Sequence, residues 1–124
     1  MWKLVNGKMI QTTDETRVKF RTNISQAILD QLDELSDEHD TYSNYLLENG
    51  LLNVLANGMI HYDKELRPTD RIQFKTSYDK ELLESVKELA KEHKLFINDV
   101  IEYSVDHIDF TDIKTKDHKN RLES

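Results

Sequence analysis

The sequence predicts a mainly α-helical protein that carries a short antiparallel β-ribbon. Three observations predict this class: an internal repeat, two segments in which apolar and polar residues alternate, and apolar residues at helical spacing after each segment. Alternation with a period of two is typical of a half-buried strand, and spacings of three and four are typical of an amphipathic helix. We therefore expect a strand–helix–helix unit to occur twice in the chain.

The repeat becomes visible when each residue is aligned with the one 54 positions later, which is the offset from Arg17 to Arg71. Matching residues then coincide in one frame over about forty positions, more than chance readily gives, and this indicates a duplicated unit. The identical pairs include Phe20/Phe74, Thr22/Thr76, Leu29/Leu83, His39/His93, Asn44/Asn98 and Glu48/Glu102.

The repeat divides the chain into five segments. Two are the repeat units, 17–56 and 71–110. The others are an N-terminal hairpin or extension (1–16), a linker (57–70) and a polar tail (111–124) that is expected to fray.

The N-terminal segment WKLVNGKMI places Asn6 and Gly7 between two short apolar runs, which is a strong β-hairpin signal. The linker contains NGMIH, which is similar to the N-terminal NGKMI. We therefore expect a short strand in the linker that pairs with the N-terminal segment.

Each unit begins with a predicted strand that has one apolar and one polar face. The strands read RVKFRTNI from Arg17 and RIQFKTSY from Arg71. The apolar faces are Val18, Phe20, Thr22 and Ile24 in the first unit, and Ile72, Phe74, Thr76 and Tyr78 in the second. The polar faces are Arg17, Lys19, Arg21 and Asn23, and Arg71, Gln73, Lys75 and Ser77.

Two helices follow each predicted strand. Ser25 and Asp79 stand at the N-caps of the first helices, because their side-chain oxygens can accept from free first-turn N–H groups. The turns between helices are expected near Asp40–Tyr42 and Lys94–Phe96. The apolar stripes of the first helices are Ile28, Leu32 and Leu35, and Leu82, Val86 and Leu89. Those of the second helices are Leu46, Leu47, Leu51, Leu52 and Leu55, and Val100, Ile101, Val105 and Ile108.

The bulk composition limits the function classes. The net charge of -7 argues against a protein that coats nucleic acid, because phosphate binding is driven by clustered Lys and Arg. The absence of Cys excludes disulfides and thiolate chemistry. No apolar run is long enough to span a bilayer, and the N-terminus lacks the apolar core of a signal peptide. We expect a cytoplasmic protein without a membrane partner.

The sequence contains no pattern typical of an active site or a metal site. It has no Ser-His-Asp constellation, Gly-rich phosphate loop or metal motif. His39 and His93 lack a second His at ligand spacing, and a His near a helix C-terminus interacts well with the helix dipole. The acids Asp30, Asp33, Glu34 and Glu38 follow the outer face of a predicted helix. We expect neither an enzyme nor a metal or other cofactor.

The repeated unit, with alternating basic residues on its strand, resembles the ribbon-helix-helix family, to which the DNA-binding proteins Arc and MetJ belong. The resemblance covers Arg17–Leu55 and Arg71–Ile108. It implies that the two strands pair into a ribbon that enters the DNA major groove, with the helices packed behind it. Tandem units in one chain would then form an intramolecular pseudo-dimer. The implied function is that of a sequence-specific DNA-binding protein, a small bacterial-type transcriptional regulator.

The same resemblance implies roles for individual residues. It assigns base readout to Lys19, Arg21, Asn23, Gln73, Lys75 and Ser77, and phosphate contacts to Arg17, Arg71, Ser43, Asn44 and Asn98. Lys and Arg suit the acceptors of guanine, and Asn and Gln suit the edge of adenine. Because Lys-Arg-Asn differs from Gln-Lys-Ser, we expect an asymmetric target.

An alternative function stays open, because the sequence departs from the family pattern between the helices. The family usually has Gly and then Ser or Thr, where this chain has Asp40 and Lys94, then Tyr42 and Phe96. With the acidic composition, this departure also fits a protein-interaction module, antitoxin- or adaptor-like, with weak or no DNA binding. Such a module would bind a protein through the hairpin, the helix faces or the tail, and a homodimer is a further alternative. The aromatic side chains of Trp2, Tyr42, Tyr45 and Phe96 fit either a partner surface or the core.

Overall fold

The computed structural model describes residues 2–5, 8–11 and 17–111. The fold is mainly helical, with antiparallel strand pairs, and this confirms the coarse class predicted from the sequence. In chain order the elements are β1 (Trp2–Val5), β2 (Lys8–Gln11), β3 (Arg17–Ser25), α1 (Gln26–Glu38), α2 (Ser43–Asn57), β4 (Arg71–Asp79), α3 (Lys80–Glu92) and α4 (Ile97–Ser104), with 3-10 turns at Lys64–Leu66 and Val105–His107.

β3 and β4 pair antiparallel within the chain and form a two-stranded ribbon. The register places Arg21 opposite Lys75 at the centre, with Arg17 opposite Asp79 at one end. The predicted alternation is visible in the burial, since Tyr78 is 0% exposed while Lys75 is exposed. Ile72 was expected on the buried face, and this is wrong: it is 43% exposed, whereas Ile24 directly opposite it is 1% exposed.

The first helices begin at the predicted N-caps. The Ser25 hydroxyl oxygen accepts from the Ile28 N–H at 3.4 Å, and the Asp79 carboxylate accepts from the Leu82 N–H at 2.9 Å. At the start of α1, Asp70 also accepts from the Ala27 N–H at 3.0 Å. Each cap satisfies a first-turn N–H that has no partner within the helix, so the chain turns directly from strand into helix.

The turns after α1 and α3 use the same unusual backbone. Asp40 and Lys94 are non-glycine residues with positive φ, 52° and 56°. The Thr41 N–H donates to the Ser36 carbonyl at 2.9 Å, which is the long bond of a Schellman-type helix end. The turn sites are therefore confirmed, although an L-residue in this conformation costs about 1–2 kcal/mol.

One apolar core lies between the ribbon and the four helices. Most of the predicted apolar stripes are buried in it, but Leu52 is 56% exposed, so its assignment to the buried stripe of α2 is wrong. Leu52 faces a groove between α2 and α3 instead of the core. The core residues below 2% exposure are Ile24, Leu32, Leu46, Leu47, Leu51, Val54, Tyr78, Val86, Val100 and Ile101.

The segments outside the repeat units follow the sequence prediction only in part. β1 and β2 pair antiparallel, with Trp2 opposite Gln11, and the expected Asn6–Gly7 turn lies outside the described residues. The strand expected in the linker is absent, since residues 58–70 contain only the 3-10 turn Lys64–Leu66. The linker is held instead by side chains on α4, so no sheet partner is needed. The tail beyond residue 111 lies outside the described residues.

Candidate nucleic-acid interface

The six predicted base-reading residues lie together on the outer face of the ribbon. The register joins them into three directly opposed pairs, so each of the three on β3 faces one on β4. Five of the side chains are exposed, and that of Ser77 is half-buried. The pairs are Lys19 with Ser77, Arg21 with Lys75, and Asn23 with Gln73.

Ser77 is half-buried because Arg17 reaches across the ribbon to it. The Arg17 guanidinium donates to the Ser77 carbonyl oxygen at 3.0 Å and to its hydroxyl oxygen at 3.3 Å. A shallow depression on the ribbon, of about 290 Å³, is lined by Lys19, Lys75, Thr76 and Ser77. The hydroxyl can still donate to a ligand from this depression, since its contact with Arg17 uses it as an acceptor.

The centre of the ribbon places two positive charges opposite each other. Arg21 and Lys75 are direct cross-strand neighbours. Neither they nor Lys19 takes part in an ion pair within the described residues. Like charges directly opposite destabilise an antiparallel pair, typically by a few tenths of a kcal/mol to about 1 kcal/mol. An anion over this position would relieve the repulsion, which makes the face suited to an anionic ligand.

Arg17 and Arg71, which are predicted to contact phosphate, form ion pairs with carboxylates of the protein itself. Arg17 pairs with Glu48 of α2, and Arg71 pairs with Glu102 of α4 at 2.6 Å. Their side chains are 27% and 16% exposed. Both arginines therefore fasten an end of the ribbon to the helix behind it, and their charge is largely balanced by the carboxylates.

A buried carboxylate, Asp99, organises one end of the molecule. Its side chain is 0% exposed and accepts from Arg67 at 2.7 Å, from Arg71 at 2.7 Å and from the Phe96 N–H at 2.9 Å. Burial alone would raise the pKa of Asp99, but these hydrogen bonds outweigh it and lower the pKa to about 2. Burial, together with the hydrogen bond and charge of Asp99, raises the pKa of Tyr62.

Sequence reasoning missed Asp99 and Arg67, and it assigned no role to Glu48 and Glu102. The cluster around Asp99 left no signal in the repeat, because the position aligned with Asp99 is Tyr45. Glu48 and Glu102 did leave a signal in the repeat. Each lies 31 residues after the arginine that it pairs with, and the two arginines and the two glutamates are aligned, which indicated a contact.

The N-termini of α2 and α4 hold the remaining predicted phosphate ligands, and they differ in charge. Ser43 and Asn44 are the first two residues of α2, whose first turn contains no acid. Asn98 is the second residue of α4, where Asp99 already occupies the first turn. A helix N-terminus attracts an anion. The N-terminus of α2 can therefore attract an anionic ligand, whereas Asp99 already supplies the negative charge at α4. The Asn98 Oδ1 atom is buried and has no hydrogen-bond partner among the described residues.

The aromatic residues beside these helix starts lie on the surface. Tyr42 is 49% exposed and Phe96 is 60% exposed, which favours a surface role over core burial for both. Tyr45 packs edge-to-face on Tyr42 at 5.4 Å, and the Arg67 guanidinium lies 4.5 Å from the Phe96 ring centroid. Trp2 lies among the residues whose side chains are not described.

The two aligned histidines have structural contacts. His39 stacks on Phe110 at 4.4 Å, and the ring of His93 lies 3.0 Å from the Leu89 carbonyl oxygen. Across residues 17–111 and the described strands before them, no group of three or more His, Asp or Glu could hold a metal ion. No helix in that part of the chain is long and apolar enough to cross a membrane.

Comparisons with protein-family models, with curated proteins and with solved structures found no match for this chain. The resemblance to ribbon-helix-helix proteins therefore depends on the residues of this chain alone and stays a prediction.

Proposed function

We propose that this chain is a sequence-specific protein that binds double-stranded DNA, a small transcriptional regulator whose two tandem ribbon-helix-helix units form an intramolecular pseudo-dimer. The observation that carries the proposal is the pair of cations at the centre of an exposed polar ribbon, Arg21 and Lys75, which form no ion pair with the described residues. A face of this kind has an electrostatic cost in the free protein, and a phosphate-rich ligand removes that cost.

The symmetry of the contacts supports the pseudo-dimer. Arg21 and Lys75, the central pair of the ribbon, occupy aligned positions of the two units, as expected when a two-fold axis passes between them. The other aligned features are the N-caps Ser25 and Asp79, the positive-φ residues Asp40 and Lys94, and the ion pairs Arg17–Glu48 and Arg71–Glu102.

The geometry suits the major groove of B-DNA. That groove is about 12 Å wide and admits a two-stranded ribbon, whose outward side chains then reach the base edges. Arg17 and Arg71 hold the two ends of the ribbon to α2 and α4 through ion pairs with Glu48 and Glu102. We assign the contacts with the phosphates of the DNA backbone to Ser43 and Asn44 at the start of α2, because no acid in the first turn of that helix repels an anion.

The proposal is tested by removing the two central cations together. An Arg21→Ala/Lys75→Ala variant should bind a duplex selected from a random library at least roughly tenfold more weakly, since two base or phosphate contacts are lost. The matched control is Lys64→Ala/Lys91→Ala, which removes the same charge from two exposed lysines outside the ribbon. Affinity should be measured by fluorescence anisotropy at several salt concentrations. Equal losses in the two variants would mean that net charge, not the ribbon, governs binding.

A second candidate function is a protein-interaction module that does not bind DNA. It is favoured by one end of the molecule, where Asp99 occupies the α4 N-terminus beside the exposed ring of Phe96. Such a protein should pass through a DNA column at low salt, and a Phe96→Ala variant should lose a protein partner that the wild type retains. Retention on DNA that weakens steeply with salt would exclude this candidate.

A further inference from the structure

The reading face of the ribbon changes in chemical character from one end to the other. The register sets two neutral amides opposite each other at one end, Asn23 and Gln73. The centre holds Arg21 and Lys75, and the other end holds Lys19 opposite Ser77. The face therefore has a neutral end and a positive end, although the aligned strands would give a symmetric face if their readers were identical.

Contacts behind the ribbon keep this difference. Beyond the amides, at the end of the ribbon, Arg71 lies opposite Ser25 and is held by Glu102 and Asp99. Its side chain is only 16% exposed, so it adds little positive charge to the reading face there. Lys19 at the opposite end is exposed and forms no ion pair within the described residues. The neutral end thus has amide groups as its only exposed readers.

Amides and cations match different base edges. In the major groove adenine presents one acceptor and one donor, N7 and the N6 amino group, and guanine presents two acceptors, N7 and O6. A side-chain amide offers one donor and one acceptor, so it can satisfy both adenine atoms, whereas its oxygen meets an acceptor on guanine. Lys and Arg offer donors alone and so match guanine.

The strand geometry sets how far apart these preferences lie on DNA. Readers two residues apart on a strand are separated by about 6.7 Å, so the three pairs span about 13 Å. This span covers about four base pairs at the rise of B-DNA. We infer that the target, given the DNA-binding function proposed above, is a non-palindromic site with A·T pairs beneath Asn23 and Gln73 and G·C pairs beneath the centre and the Lys19 end.

The direct experiment is selection of duplexes from a random library by the full-length chain, followed by binding to duplexes substituted at single positions. The expected outcome is a short site without two-fold symmetry, with G·C at the centre and A·T on one side. Exchanging the A·T pairs for G·C should weaken binding by roughly tenfold, the discrimination of a good bidentate contact. A palindromic site, or a site that tolerates G·C at both ends, would overturn the inference.

An amide-removal variant assigns the preference to its residues. Asn23→Ala/Gln73→Ala should lose the A·T preference at that end, while the slope of affinity against salt stays unchanged because no charge is removed. The matched control is Gln31→Ala/Asn57→Ala, which deletes the same two side-chain types from exposed positions on α1 and α2. Circular dichroism checks that both variants are folded. Persistence of the A·T preference in the ribbon variant would overturn the assignment.

A symmetrised variant tests the polarity itself. Gln73→Lys/Lys75→Arg/Ser77→Asn gives β4 the same readers as β3, so each Lys then lies opposite an Asn. Its selected site should be palindromic, whereas the wild-type site should not be. If both proteins select the same site, the inference fails while the proposed function stands. If neither protein selects a site, and Arg21→Ala/Lys75→Ala does not weaken the affinity for duplex DNA, the proposed function fails as well.

Discussion

Gly50 of α2 lies directly against Ser104 of α4, so close that a Cβ atom on Gly50 would overlap the Ser104 carbonyl oxygen. The obstacle is backbone, which cannot rotate away as a side chain can. Ile108 adds a second contact, since its Cγ1 atom would lie 3.2 Å from that Cβ. We predict that Gly50→Ala lowers the free energy of unfolding by about 3 kcal/mol, at the upper end of the range for overpacking. Urea unfolding followed by circular dichroism measures it.

Gly58 provides the matched control for this substitution. It has φ of 76° but no atom near its Cβ position, so Gly58→Ala adds backbone strain without a clash. The expected loss is about 1 kcal/mol. If the two variants were equally stable, the close approach of α2 and α4 would not be a tight contact.

The turn after α3 holds a residue whose replacement by glycine should stabilise the protein. Lys94 has φ of 56°, a conformation that disfavours any side chain with a Cβ atom. Lys94→Gly should raise the free energy of unfolding by about 0.5–1 kcal/mol. This gain is the backbone strain that glycine relieves, minus the cost of its larger conformational entropy in the unfolded chain. Lys91→Gly, one turn earlier within α3, should lower it by about 1 kcal/mol. Thermal unfolding of both variants gives the comparison, and a loss of stability in Lys94→Gly would contradict the argument.

The sequence predicted these turns and the strand faces because each depends on local chemistry. Ser25 and Asp79 cap helices through bonds that span three residues, and apolar alternation decides which side of a strand faces the core. The strand register was also accessible, since aligned residues such as Arg21 and Lys75 meet when two equivalent strands pair.

Other features could not be predicted, because they depend on contacts between segments that lie far apart in the sequence. Ile72 and Leu52 have apolar side chains at the expected spacing, yet both are exposed. Arg67 donates to Asp99, which lies 32 residues later in the sequence, and no pattern in the linker indicates that contact. The exposed polar face of the ribbon was therefore predictable, whereas the ionic cluster around Arg71 was not.

The acid stability of the fold should depend on Asp99. Its pKa is lowered from 3.8 to about 2 in the folded protein. A lowered folded-state pKa means that the carboxylate stabilises the fold above about pH 4, and that this contribution is lost as the pH falls through about 2. Asp99→Asn should lower the free energy of unfolding by roughly 3 kcal/mol at pH 7, because it removes the buried carboxylate that pairs with Arg67. Urea unfolding at each pH should show this gap narrowing by roughly 2 kcal/mol between pH 4 and pH 2, whereas a constant gap would exclude Asp99 as the titrating group.

Stability and DNA binding should respond in opposite directions at the centre of the ribbon. Lys75→Glu turns the repulsion between residue 75 and Arg21 into an attraction, so the free protein should become more stable by a few tenths of a kcal/mol to about 1 kcal/mol. The gain should shrink at high salt, which screens exposed charges. The same substitution sets a carboxylate against the acceptor atoms of guanine, within the negative potential of DNA, and should abolish binding to the selected duplex. Urea unfolding and anisotropy titrations on the same sample measure both effects. A more stable variant that binds DNA as well as the wild type would show that the opposed cations serve another ligand.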